Sequence, residues 1–133
     1  MDLKDLTPKS DEIEVVLVHP NTGETLMNGD SDEEMTITVH APHTKEYRAA
    51  LFEQAELQIA RNQKGGKKSQ QFLEQQDSGI ELMARITKKW DITYDGVKPR
   101  LTFERALGVY KDCFWMKKQI ESAIDDSLNF MKG

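Results

Sequence analysis

Met35-Thr36-Ile37-Thr38-Val39-His40 alternates apolar and polar side chains with a period of two, and a few residues later Tyr47, Leu51, Ala55 and Ile59 recur at helical spacing. Alternation lays one face of a strand on a core, whereas recurrence every three to four residues lines one face of a helix. Pro42-His43-Thr44 introduces the helix between them, with Thr44 as its candidate cap. Upstream, Ile13-Glu14-Val15-Val16-Leu17-Val18 is β-branched, and His19-Pro20-Asn21-Thr22-Gly23 supplies turn chemistry. Thr25-Leu26-Met27 is a short strand at best, closed by Asn28-Gly29-Asp30-Ser31-Asp32. This third of the chain therefore reads as a β-hairpin or small meander. A lone hairpin is marginal in water, so its apolar face should rest on the helices, and its exposed edge is a candidate subunit contact.

Downstream, Lys64-Gly65-Gly66-Lys67-Lys68-Ser69 breaks the first helix and reads as a mobile loop. Phe72, Gln76, Ile80, Met83, Ile86 and Trp90 then share one helical face, with Gly79 inside it. Asp91 to Gly96 reads as an extended piece ending in an Asp-Gly turn. Thr102 caps the next helix, which carries Phe103, Ala106, Leu107 and Tyr110. At about 100° per residue, Cys113, Met116, Ile120, Ala123, Ile124, Ser127, Phe130 and Met131 form the last stripe. Phe103, Leu107 and Tyr110 lie nearly a quarter turn from it, so a break near Lys111-Asp112 is expected, with Asp112 as cap.

The fold class is α+β: a small amino-terminal β-hairpin or meander followed by a mainly α-helical domain of about four helices. Residues 1–12 read as a disordered terminus and 13–133 as one domain, with a β-hairpin region at 13–41, helices over 44–131 and a flexible loop at 63–69.

A chain of 133 residues can bury one modest core, and its 38% apolar and 31% charged residues fit a soluble domain. A net charge of -5 argues against a general nucleic-acid binder, which needs concentrated Lys and Arg. Cys113 is the single cysteine, so no internal disulfide forms and a reducing cytoplasm fits. No apolar run approaches the length of a membrane span, and the first residues lack a signal-peptide core.

Chemistry is hard to find. Asp30, Asp32, Glu33 and Glu34 cluster in a turn without the ligand spacing of a calcium loop. His40 and His43 flank Pro42 with no third ligand nearby, so they read as solvent-facing rather than as a zinc site. Cys113 sits on the apolar stripe, which explains it without a nucleophilic role. The lysine loop lacks the spacing of a phosphate-binding loop. No catalytic residue, cofactor or metal is expected.

The last helix has a second face instead. Trp115, Gln119, Ser122 and Asp126 lie roughly opposite its core stripe, with Phe114 and Leu128 beside them. Trp115 either packs under the Trp90 to Arg100 loop or meets another subunit, since aromatic residues are enriched at interfaces.

Val18-His19-Pro20-Asn21-Thr22-Gly23-Glu24, then Ile37-Thr38-Val39 and Tyr47-Arg48, resemble the opening of small phage tail proteins. Trp90-Asp91-Ile92 with Asp95-Gly96, Phe103 to Tyr110, Trp115 with Gln119-Ile120, and Asp126 with Asn129-Phe130 resemble the tail assembly chaperones of lambda-like long-tailed phages, the minor tail protein G-like family. The resemblance spans Glu14 to Phe130 and rests on the order of the motifs. It implies a non-enzymatic chaperone that self-associates and keeps the apolar tape measure protein soluble in the host cell cytoplasm, absent from the mature virion. It also implies a longer form made by ribosomal frameshifting whose extension recruits the major tail protein. The partner-binding residues expected are Trp115, Gln119, Phe114, Ser122 and Asp126, together with Lys64, Lys67 and Lys68 of the loop. No nucleic acid or membrane partner is implied. The alternative is a structural tail or head-tail connector component of the virion.

Overall fold

The computed structural model describes residues 2–6, 10–29, 31–63 and 68–130. A 3-10 turn at Leu3–Leu6 precedes strands β1 (Glu12–Val16) and β2 (Thr36–His40). Helices α1 (Lys45–Gln63) and α2 (Lys68–Ile86) follow, then strand β3 (Thr87–Asp91) and helices α3 (Phe103–Asp112) and α4 (Trp115–Phe130). The α+β class stands, with a three-stranded antiparallel sheet in the order β1-β2-β3. No described helix is long and apolar enough to cross a membrane.

β1 and β2 pair with Val15 opposite Ile37 and Ile13 opposite Val39, so these side chains share the core face. Beyond Val16 the ladder branches. Leu17 donates to Met35, Met35 to Leu26 and Leu26 to Leu17, a closed ring of backbone bonds of 2.8 to 3.0 Å. Thr25 and Met27 join only isolated bridges, to Val18 and Glu34, so the segment between the strands is no strand of its own. Asn28 pins this segment from a buried position. Its side-chain amide donates to the Glu34 and Asp91 carbonyls and to the Asp91 carboxylate at 3.2 Å, and its oxygen accepts from Thr93 at 2.8 Å.

Three expectations need correction. The second helix ends at Ile86 rather than reaching Trp90, and Thr87–Asp91 becomes a third strand drawn from the helical half. Trp90 fits either reading of the spacing, but in the strand it lies opposite Ile37. There it meets Tyr110 edge-on at 6.3 Å and donates its indole N–H to the Pro99 carbonyl at 2.9 Å. Next, the break between the last helices falls at Cys113-Phe114, and Asp112 closes α3 instead of capping α4. Its carboxylate accepts a hydrogen bond from the Tyr94 hydroxyl, which ties the Asp95-Gly96 turn to α3. Finally, only Tyr47 of the α1 stripe packs against the core, and Leu51, Ala55 and Ile59 face solvent. A strict spacing of four advances about 400°, so each step drifts by about 40° and Ile59 ends far round the helix from Tyr47.

Local signals elsewhere behave as their chemistry demands. The Thr44 hydroxyl accepts from the Tyr47 N–H at 3.2 Å, and Thr102, in extended geometry, accepts from Arg105 at 3.1 Å. Asp95 and Gly96, with φ of 54° and 78°, form the tight turn between Tyr94 and Val97. α2 runs unbroken through Gly79. The core gathers Val15, Leu17, Ile37 and Val39 from the strand region with Met83, Ile86, Val109, Tyr110, Met116, Ile120 and Ile124 from the helices. Each fully buried aliphatic side chain contributes roughly 1.5–3 kcal/mol.

Candidate interaction surfaces

Two surfaces stand out, one formed by the expected residues of α4 and one on α1. The first is a groove of about 480 Å³ between the outer edge of β1 and α4. Glu14, Val16, Val18 and Pro20 line one wall, and Trp115, Lys118, Gln119, Ser122 and Asp126 line the other. Four of the expected binding residues thus converge there. They do so because α4 buries Met116, Ile120 and Ile124, which turns its opposite face toward the strand edge.

The ladder fixes which backbone groups of β1 face this groove. Leu17 bonds to Met35 and Ala41 bonds to Asp11, so the odd-numbered residues of β1 are spent on β2 and the even-numbered ones point outward. Ser10 uses its hydroxyl both to accept from the Glu12 N–H and to donate to the Glu12 carbonyl. At the other end Gln119 plays a neighbouring strand's part. Its oxygen accepts from the Val18 N–H at 3.0 Å, and its amide N–H donates to the Val18 carbonyl at 2.8 Å. Gln119, expected as a partner contact, is therefore committed to its own chain. Between these two caps, the outward backbone groups of Glu14 and Val16 have no partner among the described residues.

Trp115 is half-buried, packing partly against the core while lining the groove. Ser122 and Asp126 are exposed in the groove. Phe114 stands apart at the α3–α4 junction, 72% exposed. Lys64 and Lys67 lie outside the described residues, and Lys68 enters only as the first residue of α2.

The second surface was not singled out by its sequence. α1 faces α2 with polar side chains: Gln54 is buried, accepts from Arg85 at 3.2 Å and donates to Ser78 at 2.9 Å. Arg85 also pairs with Glu53 at 2.8 Å and lies over the Phe103 ring at 4.7 Å. Arg61 stands 2.8 Å from the buried Glu81 carboxylate as an ion pair whose angle falls short of a hydrogen bond. On the outer side, Leu51, Phe52 and Ile59 are 45%, 65% and 58% exposed, with Ala55 between them. At about 100° per residue these four share one arc of the helix. α1 is not amphipathic: its inner side carries Ala50 and half-buried Tyr47 beside Gln54, and its outer side mixes Leu51, Phe52 and Ile59 with Arg48, Glu53 and Glu56.

The groups once weighed for chemistry have ordinary surroundings. His43 bonds to Asp11 at 2.8 Å, and no cluster of His, Cys, Asp or Glu among the described residues is arranged to hold a metal ion. Burial, and then the neighbouring Asp112 carboxylate, raise the Cys113 thiol above its ordinary range and keep it protonated. A smaller hollow of about 400 Å³, lined by Tyr94, Thr102, Glu104, Arg105, Gly108 and Asp112, carries mixed charge. No family model, curated protein or solved structure matches the chain.

Proposed function

We propose that this protein is a non-enzymatic assembly chaperone of long-tailed phages, which self-associates and holds a tape measure protein soluble before the tail is built. The observation that supports this reading most is the outward apolar arc of α1, formed by Leu51, Phe52, Ala55 and Ile59. An exposed group of large apolar side chains on one helix suits a partner with an amphipathic or apolar helix. Arg48, which shares the arc by helical angle, and Glu56 beside it offer such a partner charged contacts. Several copies along one long helix would add avidity to individually weak contacts.

Co-expression with the tape measure protein of the same genome tests the reading. The wild-type chain should yield a soluble complex, and Phe52→Glu with Ile59→Glu should abolish it while leaving the circular dichroism of the isolated chain unchanged. A tape measure protein that stays insoluble with the wild-type chain overturns the proposal. Finding the chain in purified virions would favour a structural tail component instead.

A further inference from the structure

We infer that the open edge of β1 takes up an extended segment of a partner chain, with an apolar residue opposite Val16 and a basic residue opposite Glu14. The site is separate from α1, so it stands or falls independently of the tape measure reading. What is left unsatisfied on the edge specifies the occupant. Ser10 closes the edge at Glu12 and the Gln119 amide closes it at Val18, which leaves the N–H and C=O groups of Glu14 and Val16 open. Donors and acceptors alternating along an edge strand are met in full by another extended chain.

The window has room for three residues between its caps. In antiparallel pairing the first lies opposite Val16 and the third opposite Glu14, and each of these pairs exchanges both backbone bonds. The flanks of the segment then turn away from the edge, so neither Ser10 nor Gln119 is displaced. Directly opposed side chains share a face of the sheet. Glu14 and Val16 lie on the outer face, because the alternate residue Val15 is buried in the core. Val16 is 38% exposed and offers its β-branched side chain to an apolar neighbour. Glu14 is exposed with no ion-pair partner among the described residues, which favours a basic neighbour. The middle side chain turns toward α4, where Ser122 and Ala123 leave room for a small one.

Charge along the α4 wall gives the segment its direction. Asp112, just before α4, holds Tyr94, which follows Asp91 at the Val16 end of the sheet. α4 therefore starts at that end, seats Gln119 at Val18 and runs on toward Glu14. Asp126 lies seven residues past Gln119, about 10 Å along the helix or roughly three strand residues, which sets it at the Glu14 end of the groove. Asp126 is exposed and also lacks an ion-pair partner among the described residues, whereas exposed Lys118 stands at the Val18 end. The basic end of the segment is thus drawn to Glu14 and Asp126 and kept from Lys118.

Fluorescence polarisation with a labelled, end-capped peptide tests the site, the probe carrying valine, threonine and lysine in that order at its centre. It should bind the wild-type chain, and N-methylation of the valine, which removes the N–H offered to Val16, should weaken it by at least about fivefold. Replacing the peptide lysine by glutamate should cost a similar factor. Glu14→Lys, a change at an exposed side chain, should reverse that preference, so that the glutamate peptide binds better than the lysine peptide.

No binding of the lysine peptide at up to about 1 mM overturns the inference. Equal binding of the N-methylated peptide does so too, as does a lysine preference that persists on Glu14→Lys. Hydrogen exchange of the free chain covers the remaining occupant. If the Glu14 and Val16 amides become protected as the chain self-associates, a second copy fills the edge and the partner segment is excluded.

Discussion

Replacing Gln119 isolates the role of one side chain that links elements 101 positions apart. Its amide makes bonds of 3.0 and 2.8 Å to the N–H and C=O of Val18. A neutral bond contributes about 1 kcal/mol net, and a group left bare in the interior costs about 1–3 kcal/mol. The groove is open, so water can re-cover Val18 and the lower end of that range applies. Gln119→Ala should therefore lose about 2 kcal/mol, a drop of about 8 °C in Tm for a domain of this size.

Gln119→Glu separates the bonds from the loss of bulk. An ionised carboxylate can accept from the Val18 N–H but sets an acceptor against the Val18 carbonyl, whereas a protonated one can donate to it. Folding then favours the protonated form and raises the new carboxyl above its unfolded value of about 4.3. The sign follows: the variant approaches wild-type stability below that value and falls behind as pH rises through the folded value. Urea denaturation of both proteins from pH 3 to 8 reads the difference. A constant gap across that range, or a Gln119→Ala loss below about 0.5 kcal/mol, would refute the reasoning.

Tyr110 should govern alkaline stability: burial pushes its hydroxyl up to about 12 despite the opposing bond to Thr87 at 2.6 Å. Its contribution is complete below pH about 10 and is lost as pH rises toward 12, roughly 2–3 kcal/mol in all, so Tyr110→Phe should flatten the loss measured by denaturation from pH 9 to 12. An unflattened curve would assign the loss to other groups. Gly79→Ala should be neutral or stabilising by up to about 1 kcal/mol, from helix propensity. Its Cβ would meet Lys117 Cε at 2.7 Å, but that is the free end of a flexible side chain paired with Glu121 only at 3.4 Å on the surface. A clear loss in Tm would mean that Lys117 is held in place.

The local rules could be read because neighbours in sequence set them. Thr44 and Thr102 accept from the N–H three residues on, and Asp95-Gly96 takes the positive φ values its residue types allow. The α4 stripe buries Met116, Ile120 and Ile124 because its register is true to the helical repeat. Trp90 was ambiguous, since one tryptophan four residues after Ile86 satisfies helix and strand spacing alike.

By itself the sequence determined the class of the fold, the hairpin of β1 and β2, the starts of α1 and α3 and the core side of α4, all consequences of period and of capping chemistry. Tertiary structure decided that Thr87–Asp91 would join the sheet, that α1 would turn its apolar arc outward, and that Asn28 would be a buried anchor. It also decided that Gln119 would bond to Val18 rather than wait for a partner. The physical reason is range. A repeat shows that a helix has two faces, but which face is covered, and which polar atom finds its mate, depends on surfaces brought from far along the chain.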